Sequence, residues 1–337
     1  MSKINQNKNE TLRFQKFVVI IGIALLLIKF TAWYLTDSVA ILTDAMESIV
    51  NVISGFIGLY SLYVAALPRD RNHPYGHGKA EFISAFIEGG LIILAGLVIV
   101  YEAIGSLRSV SEISQIDFGI YLIALTALIN YLVGYFAVKK GEKNHSLALI
   151  ASGKHLKTDT YSTLGIILGL IVIYVTKIYW LDAVIALIFA GIIIYTGYKI
   201  IRSAISGIMD ETDDKLLKEV VELLNKERSV NWIDLHNLRI IKYGSTLHFD
   251  CHMTVPWYFN IKEGHAEVDR LEDIVRDYFG DRVEFFVHLD ACKNYSCRIC
   301  AKTDCSVRQH QLIKQIEWTP ENICKNEKHI VDDSESM

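Results

Sequence analysis

The chain has 337 residues, of which 51% are hydrophobic, and its formal net charge is −4. Soluble domains are already about 45–50% apolar, so the total only suggests a membrane protein, and the small net charge says little about partners. The distribution of the apolar residues excludes an ordinary soluble protein, because apolar blocks without a polar face succeed one another from Phe17 to about Arg202. A charged sequence of globular type follows Met209.

Six apolar blocks are each about 17 residues or longer, roughly the length that a helix needs to cross a bilayer core of about 30 Å. We therefore predict an α-helical membrane protein with six transmembrane helices. The fifth block is extended back to about Ser146, so that it includes the polar segment "HLKTD" at residues 155–159. The blocks are residues 17–35, 39–67, 82–107, 117–138, 160–176 and 181–201.

Lysine and arginine are concentrated in alternate connections between these helices. They occur in the N-terminal tail, in the second–third loop and in the fourth–fifth connection, whereas each of the other loops holds at most one. Since positively charged loops stay on the cytoplasmic side, we predict a multi-pass protein of the inner or plasma membrane with both termini in the cytoplasm. The residues concerned are Lys3, Lys8, Arg13, Lys16, Arg69, Arg71, Lys79, Lys139, Lys140 and Lys143.

The chain beyond the last apolar block predicts a small α+β unit. Residues 213–228 have helical periodicity, and residues 261–279 form an amphipathic helix. Two strands, 235–244 and 246–255, are predicted to join at Gly244-Ser245, and residues 283–290 form a third strand.

Four polar residues in the second and fifth blocks do not belong in lipid. His155 and Asp159 are four residues apart and share one helix face, as do Glu47 and Asn51. Ionisable groups inside a membrane helix are expensive and default to a functional role. Two such helices side by side offer nitrogen and oxygen ligands of the kind that a divalent transition metal takes. The alternative is hydrogen-bonded contact between helices.

Two further groups carry candidate metal ligands. In the loop "DRNHPYGHGKAE", Asp70, His73 and His77 alternate with proline and glycine, although a histidine-rich loop is also commonly just solvated. The tail carries dispersed ligand types whose spacing alone does not make a site: His236, His252, His265, His288 and Asp290.

All six cysteines lie beyond the last helix, in a reducing compartment by the predicted topology, which favours metal or redox roles over structural disulfides. Cys292, Cys297, Cys300 and Cys305 have the spacing C-x₄-C-x₂-C-x₄-C, and we predict a possible tetrahedral zinc site there. An iron–sulfur cluster and the absence of any metal remain alternatives. Cys251 and Cys324 are interpreted as isolated thiols.

These features together resemble the cation diffusion facilitator family over most of the chain, from the first helix to about Asp290. The strongest pieces are "NHPYGHGKAE", the paired positions in the second and fifth helices, and "HNLR…H…H…VHLD" in the tail. The resemblance implies a divalent metal/proton antiporter with six membrane helices and a cytoplasmic ferredoxin-like domain. It also implies a homodimer formed through that domain.

The resemblance assigns roles to the candidate residues by position. It implies a transport site at Glu47, Asn51, His155 and Asp159, and a loop site at Asp70, His73 and His77. It implies a binuclear site at the dimer contact from His236, His252, His288 and Asp290, with His265 nearby. Lys79 corresponds to a lysine that pairs with an acidic residue after the sixth helix, for which Asp210 is the candidate.

One departure from the family pattern bears on the metal. Zinc-transporting members usually carry Asp or His and then Asp on the second helix, whereas this chain has Glu47 and Asn51. The site then holds two negative charges, and the amide oxygen of Asn51 is a hard, neutral ligand. Zinc remains the first expectation because His155 and the tail histidines are retained, and iron, manganese, cobalt and cadmium stay open.

The sequence therefore predicts a secondary transporter that exports a divalent metal from the cytoplasm in exchange for protons. The alternative is a membrane-anchored metal sensor or scaffold without transport. No nucleophile–base set or phosphate-binding loop supports an enzyme, and neither an organic cofactor nor a nucleic-acid partner is expected. The expected domains are a tail at 1–16, the membrane domain at 17–208, the ferredoxin-like domain at 209–291 and a Cys-containing extension at 292–337.

Overall fold

The structure, a computed structural model, describes residues 2–108, 115–144, 147–244, 246–280 and 282–331. The predicted helix start at Ser146, the turn residue Ser245 and the end of the extension at 332–337 lie outside the described residues. The chain divides into two compact units, Met1–Met209 and Asp210–Met337.

The first unit confirms the six predicted membrane helices, each long and apolar enough to cross a bilayer. Several continue beyond the apolar blocks, and the first begins well before residue 17, because polar residues such as Lys, Glu and Gln favour a helix as well as Leu does. The helices are α1 (Ser2–Thr36), α2 (Val39–Ala65), α3 (Ala80–Arg108), α4 (Ile116–Asn144), α5 (Leu147–Thr176) and α6 (Leu181–Ile208).

Glycines let two pairs of these helices approach backbone to backbone. A Cβ atom added at Gly89 of α3 would lie 2.9 Å from the carbonyl oxygen of Gly197 on α6. One added at Gly134 of α4 would lie 2.8 Å from the carbonyl oxygen of Gly153 on α5. Small residues allow this close packing in membranes, where burial of apolar side chains adds little driving force between helices. Helix α2 packs against α1 and α3 and also contacts α5 and α6.

The start of α2 is held by a buried carboxylate from α6. Asp182 Oδ1 accepts a hydrogen bond from Ser38 Oγ at 2.7 Å, and Asp182 Oδ2 accepts one from the backbone N–H of Val39 at 2.7 Å. The first N–H groups of a helix have no partner within the helix and carry the positive end of its dipole. The 4% exposed Asp182 therefore stabilises the N-terminus of α2 and connects it to α6.

The second unit confirms the predicted α+β fold. Its sheet has the strand order β1-β2-β3, with β1 antiparallel to β2 and β2 parallel to β3. The helices and strands are α7 (Asp214–Lys226), β1 (Asp234–Tyr243), β2 (Thr246–Val255), α8 (Ile261–Phe279) and β3 (Val283–Ala291). They agree with the predicted ranges within two residues, because alternating and helical apolar patterns are unambiguous when one face of each element is buried.

The extension after β3 packs into the same core as the sheet. It contains a 3₁₀ turn (Asn294–Arg298) and a short helix α9 (Pro320–Ile323), and Trp318 is 1% exposed. The Arg228 guanidinium lies 3.8 Å from the centre of the Trp318 ring, and Asn225 Nδ2 donates to the Trp318 carbonyl oxygen at 2.7 Å. The part of the extension up to residue 331 is therefore folded onto the domain.

Candidate metal sites

Three of the four predicted transport residues touch one another between α2 and α5. His155 Nε2 lies 2.6 Å from Asn51 Oδ1, and Asn51 Nδ2 donates to Asp159 Oδ2. His155 Nδ1 lies 3.6 Å from Asp159 Oδ1. The i, i+4 spacing on α5 and the contact of α2 with α5 bring these groups together, as the sequence pattern requires.

Glu47 lies on the wall of the same cleft. The cleft is lined by residues of α2, α3, α5 and α6. Glu47 is 9% exposed, and its Oε2 is buried without a hydrogen-bond partner in the described residues. A buried carboxylate oxygen without a donor is costly, so Glu47 is a candidate for binding a cation. The sequence interpretation assigned no role to the polar lining residues Thr158, Ser162 and Thr196.

The contacts between these side chains indicate what the site can do chemically. In the contact between His155 and Asn51, the imidazole N–H donates to the amide oxygen. A metal ion binds an unprotonated nitrogen, so an ion that binds the neutral ring of His155 through Nε2 requires this hydrogen atom to move to Nδ1. Only a protonated ring or a protonated carboxyl group would release a proton. Asn51 Oδ1 and Asp159 Oδ2 supply oxygen ligands from the two sides. The cluster can therefore offer one nitrogen and two oxygen ligands to a metal ion.

A buried ion pair beside this cluster was missed by the sequence interpretation. Lys29 Nζ of α1 lies 2.8 Å from Asp44 Oδ1 of α2, and both side chains are 0% exposed. Thr163 Oγ1 of α5 lies 2.6 Å from Asp44 Oδ1 and 2.9 Å from the carbonyl oxygen of Asp159. The sequence does show a lysine and an aspartate inside two apolar blocks, and these charges could have indicated a buried ion pair.

The three loop residues between α2 and α3 form a compact group. One ligand atom from each of Asp70, His73 and His77 lies within 4.8 Å of the others. His73 Nδ1 is 3.0 Å from Asp70 Oδ1, and His77 Nε2 is 3.4 Å from Asp70 Oδ2. The backbone N–H of His73, its ring and the N–H of Asn72 donate to the Asp70 carboxylate and lower its pKa. The carboxylate therefore stays ionised, as a metal ligand must.

The Gly-containing turn explains why the loop closes on itself. Gly76 has φ +94°, a conformation that glycine adopts without strain, and its N–H donates to the His73 carbonyl oxygen at 2.9 Å. At the end of the loop, Lys79 Nζ donates to the Ile208 carbonyl oxygen at 3.3 Å. The predicted pair of Lys79 with Asp210 joins the two compact units and stays a prediction.

Three predicted tail histidines lie in one row across the sheet. His236 of β1 is in register with His252 of β2, which is in register with His288 of β3. The ring centres of His236 and His252 are 5.2 Å apart, and those of His252 and His288 are 4.7 Å apart. Only the pairing of the strands could align residues that are so far apart in sequence.

Asp290 completes this group. His252 Nδ1 lies 3.3 Å and His236 Nε2 lies 3.7 Å from Asp290 Oδ2. One ligand atom from each of the three lies within 4.8 Å of the others, which fits a divalent ion bound by nitrogen and oxygen. His288 Nε2 is 3.9 Å from Asp290 Oδ1. His265 lies outside the group and contacts Asp269 on its own helix at 3.6 Å.

Two residues of the extension, both missed by the sequence interpretation, lie beside this group: Lys328 contacts Asp290, and His329 contacts Asp234 next to His236. Lys328 Nζ lies 3.2 Å from Asp290 Oδ1. Burial would raise the pKa of the Asp290 carboxyl, but the ion pair with Lys328 and the contact with His252 lower it. His329 lies 2.5 Å from Asp234 Oδ1, and His236 Nδ1 lies 3.4 Å from Asp234 Oδ2.

Asp234 is therefore the carboxylate behind His236. It is 2% exposed, and although burial would raise its pKa, the contacts with His236 and His329 hold the pKa well below its usual range. A carboxylate on Nδ1 of a ligating histidine orients the ring and directs Nε2 to the metal. Asp234 lies on the Nδ1 side of the His236 ring, at 3.4 Å, and Asp290 lies on the Nε2 side, at 3.7 Å.

The four cysteines of the extension lie near one another, but their sulfur atoms are farther apart than the ligand atoms of the two groups above. Within the described residues, the loop group and the tail group each have ligand atoms within 4.8 Å of one another. The four thiols do not form a further group of this kind. Burial raises the pKa of the Cys292 thiol, and Cys297, Cys300 and Cys305 nearby raise it further. Arg308 organises this segment by donating to the carbonyl oxygens of Cys297 and Cys300, each at 2.9 Å.

The chain matches two family models. The model described as the cation efflux transmembrane domain matches residues 16–209, and the one described as the cation efflux protein, cytoplasmic domain matches residues 212–292. The second match ends at the first cysteine of the extension, so the segment that carries Lys328 and His329 lies beyond both.

Curated relatives cover most of the chain. It is 32% identical to an uncharacterized transporter of Synechocystis, over 76% of this chain and 83% of that protein. It is 26% identical to the manganese efflux system protein MneP of Bacillus subtilis, over 75% of this chain and 87% of that protein. It is 24% identical to a cadmium, cobalt and zinc/H(+)-K(+) antiporter of Bacillus subtilis, over 80% and 85% respectively.

Proposed function

This chain belongs to the cation diffusion facilitator family and is a metal-cation efflux transporter, and we propose that it exports a divalent metal ion from the cytoplasm in exchange for protons. Zinc is the first candidate substrate. Manganese, iron, cobalt and cadmium are the alternatives.

The support for this proposal is the direct contact of Asn51 with His155 and Asp159 between two membrane helices. Ionisable and polar groups inside membrane helices cost free energy. A sensor or scaffold that binds metal only through its cytoplasmic domain does not need them. Glu47 lies on the same cleft with a carboxylate oxygen that has no hydrogen-bond partner in the described residues. The four side chains together offer one nitrogen and three oxygen donor groups.

The proposed exchange follows from the protonation that metal binding requires. Metal needs the neutral imidazole of His155 and the ionised carboxylates of Glu47 and Asp159, so binding from the cytoplasm releases protons. On the far side, protonation of the same groups displaces the metal. Asn51 does not titrate, so one cycle moves at most the protons of the other three residues.

We expect the preference of the site among metals to depend on the charge and hardness of its ligands. Glu47 and Asp159 carry two negative charges, which neutralise one dication, and the amide oxygen of Asn51 is a hard, neutral ligand. Hard oxygen ligands suit manganese, whereas imidazole suits zinc. The relatives named above are described for manganese and for cadmium, cobalt and zinc, so transport of each metal must be measured.

The orientation and assembly are part of the proposal. The distribution of lysine and arginine supports cytoplasmic termini, with the second unit on the cytoplasmic side. The exposed end of the histidine row, at His288, supports a contact between two copies of the chain through this unit.

A transport assay tests the proposal. The full chain is reconstituted in liposomes that hold a pH dye, and zinc, manganese, iron(II), cobalt and cadmium are added one at a time. We expect proton movement that depends on the metal and disappears in Asp159→Ala. The matched control is Asp117→Ala, which removes an exposed carboxylate from the first turn of α4. No flux with any metal, with tight metal binding by the second unit, would instead favour the sensor or scaffold.

A further inference from the structure

The ion pair of Lys29 and Asp44 lies one helical turn from the proposed transport site. Asp44 precedes Glu47 by three residues on α2, and Thr163 follows Asp159 by four residues on α5. Residues at these spacings are neighbours on a helix face. Lys29 comes from a third helix, α1, and its Nζ lies 2.8 Å from Asp44 Oδ1 and 3.4 Å from the Asp44 carbonyl oxygen.

A contribution to packing alone does not explain why this ion pair is buried between the helices. Lysine and aspartate inside a membrane domain are expensive, and well-packed apolar side chains usually replace a buried ion pair without loss of stability. Asp44 Oδ2 is moreover buried without a hydrogen-bond partner in the described residues, a further cost that an apolar side chain would avoid. A group that is retained against these costs is expected to serve the neighbouring site.

Thr163 links the ion pair to the backbone that carries Asp159. Its Oγ1 is 2.6 Å from Asp44 Oδ1 and 2.9 Å from the Asp159 carbonyl oxygen, and its single proton can serve either acceptor. A continuous series of contacts therefore runs from α1 through α2 to α5. It crosses the gap between the helix that carries Glu47 and Asn51 and the helix that carries Asp159.

We propose that Lys29, Asp44 and Thr163 are positioning residues that set the distance between the two halves of the transport site and thereby its preference among divalent metals. The proposal rests on the transport function proposed above. The charges of Lys29 and Asp44 cancel, so the network adds no net charge to the two carboxylates of the site. Metal ions differ in preferred coordination number and geometry, so the spacing of ligands on two helices discriminates between them.

The most conservative test removes the bridging hydroxyl. Thr163→Val keeps the volume, and Thr163→Ser restores the hydroxyl. Transport of zinc and manganese is measured with the full chain in liposomes. We expect Thr163→Val to change the ratio of kcat/KM between the two metals by about five- to tenfold, mainly through KM, and Thr163→Ser to restore it. The control is Thr126→Val, since Thr126 is a buried threonine that donates within its own helix, to the Ile123 carbonyl oxygen at 2.8 Å.

A second arm separates position from charge. Lys29→Met and Asp44→Asn each leave one buried charge unpaired and are expected to lose transport. The double variant Lys29→Met/Asp44→Asn is neutral, and an asparagine still accepts the Thr163 hydrogen bond, so we expect transport to recover to within about threefold of the parent. A double variant as inactive as the single ones would overturn the proposal, because the charges themselves would then be required.

A binding measurement keeps the inference testable without transport. Cobalt(II) is bound to the full chain carrying His73→Ala, His252→Ala, Cys292→Ser, Cys297→Ser and Cys305→Ser, which disable the loop, tail and cysteine groups. Its visible absorption then reports the ligand geometry at the transport site. We expect Thr163→Val to shift this spectrum and Thr126→Val to leave it unchanged. Cobalt binding without transport would contradict the proposed function only. An unchanged spectrum and an unchanged metal ratio in Thr163→Val would overturn the positioning role.

Discussion

Asn51 on α2 and His155 on α5 are in direct contact, with His155 Nε2 2.6 Å from Asn51 Oδ1. The same amide donates to Asp159, so one neutral side chain lies between an imidazole and a carboxylate. This arrangement explains how an asparagine can occupy a position where a carboxylate is the usual family residue. It satisfies both neighbours without adding charge.

We expect Asn51→Asp to move the metal preference towards zinc. The variant adds a third carboxylate and loses the amide donor to Asp159, so bound metal must offset more negative charge and displace one more proton. The number of protons exchanged per metal is expected to rise by about one. Proton flux and metal uptake are measured together in liposomes. Asn51→Ala is the comparison, and a rise in proton number in that variant as well would contradict the explanation.

Asp182→Ala is expected to lower the stability of the membrane unit. The change leaves Ser38 Oγ and the N–H of Val39 without their buried acceptor. The expected loss is about 1–3 kcal/mol, with a smaller loss for Asp182→Asn, which keeps one acceptor. Thermal unfolding of the purified protein in detergent measures it. Asp117→Ala, at an exposed first-turn carboxylate, should leave the midpoint unchanged.

Lys328→Met is expected to raise the metal affinity of the tail group by about tenfold, because a fixed positive charge 3.2 Å from Asp290 repels an incoming dication. Zinc affinity is measured by chelator competition with the full chain carrying Asp159→Ala, His73→Ala, Cys297→Ser and Cys305→Ser, so that the membrane, loop and cysteine sites are removed. Lys325→Met, an exposed lysine of the same segment, is the control. Equal affinities in the two variants would show that Lys328 does not compete with the metal.

The cysteines should differ in reactivity towards iodoacetamide at about pH 8. Burial raises the pKa of the Cys251 thiol to about 12, so it is present as the unreactive thiol, and it is 2% exposed. We expect Cys251 to remain unmodified in the folded protein, as read by mass spectrometry. Zinc should also protect Cys292, Cys297, Cys300 and Cys305 if they bind it. Labelling of these four that is the same with zinc and with a chelator would exclude the predicted cysteine site.

The element pattern could be predicted from the sequence because each signal is local. The helix over residues 261–279 has a capping box at Asn260 and Glu263 and a buried face of apolar residues, all within the segment itself. The same is true of the apolar length of the membrane helices. The i, i+4 pairs on α2 and α5 were likewise visible, because a helix places such residues on one face whatever surrounds it.

Contacts between segments that are far apart in the sequence could not be predicted from such local patterns. Lys29 and Asp44 were read only as parts of apolar blocks, and nothing near either residue identifies its partner. The extension was predicted as a segment of its own, yet Lys328 and His329 reach Asp290 and Asp234, and Trp318 lies in the domain core. His265 was expected near the histidine group; it contacts Asp269 on its own helix, and its part in the site stays a prediction.

The sequence by itself determined the six membrane helices, the α+β unit and the residue types of each candidate site, because hydrophobic period, helix length and side-chain chemistry are properties of short segments. Only the tertiary structure decided that Asn51 bridges His155 and Asp159, that Lys29 pairs with Asp44, and that Lys328 reaches Asp290. The physical reason is that helix packing and strand register bring together groups whose separation along the chain carries no information about their distance in space.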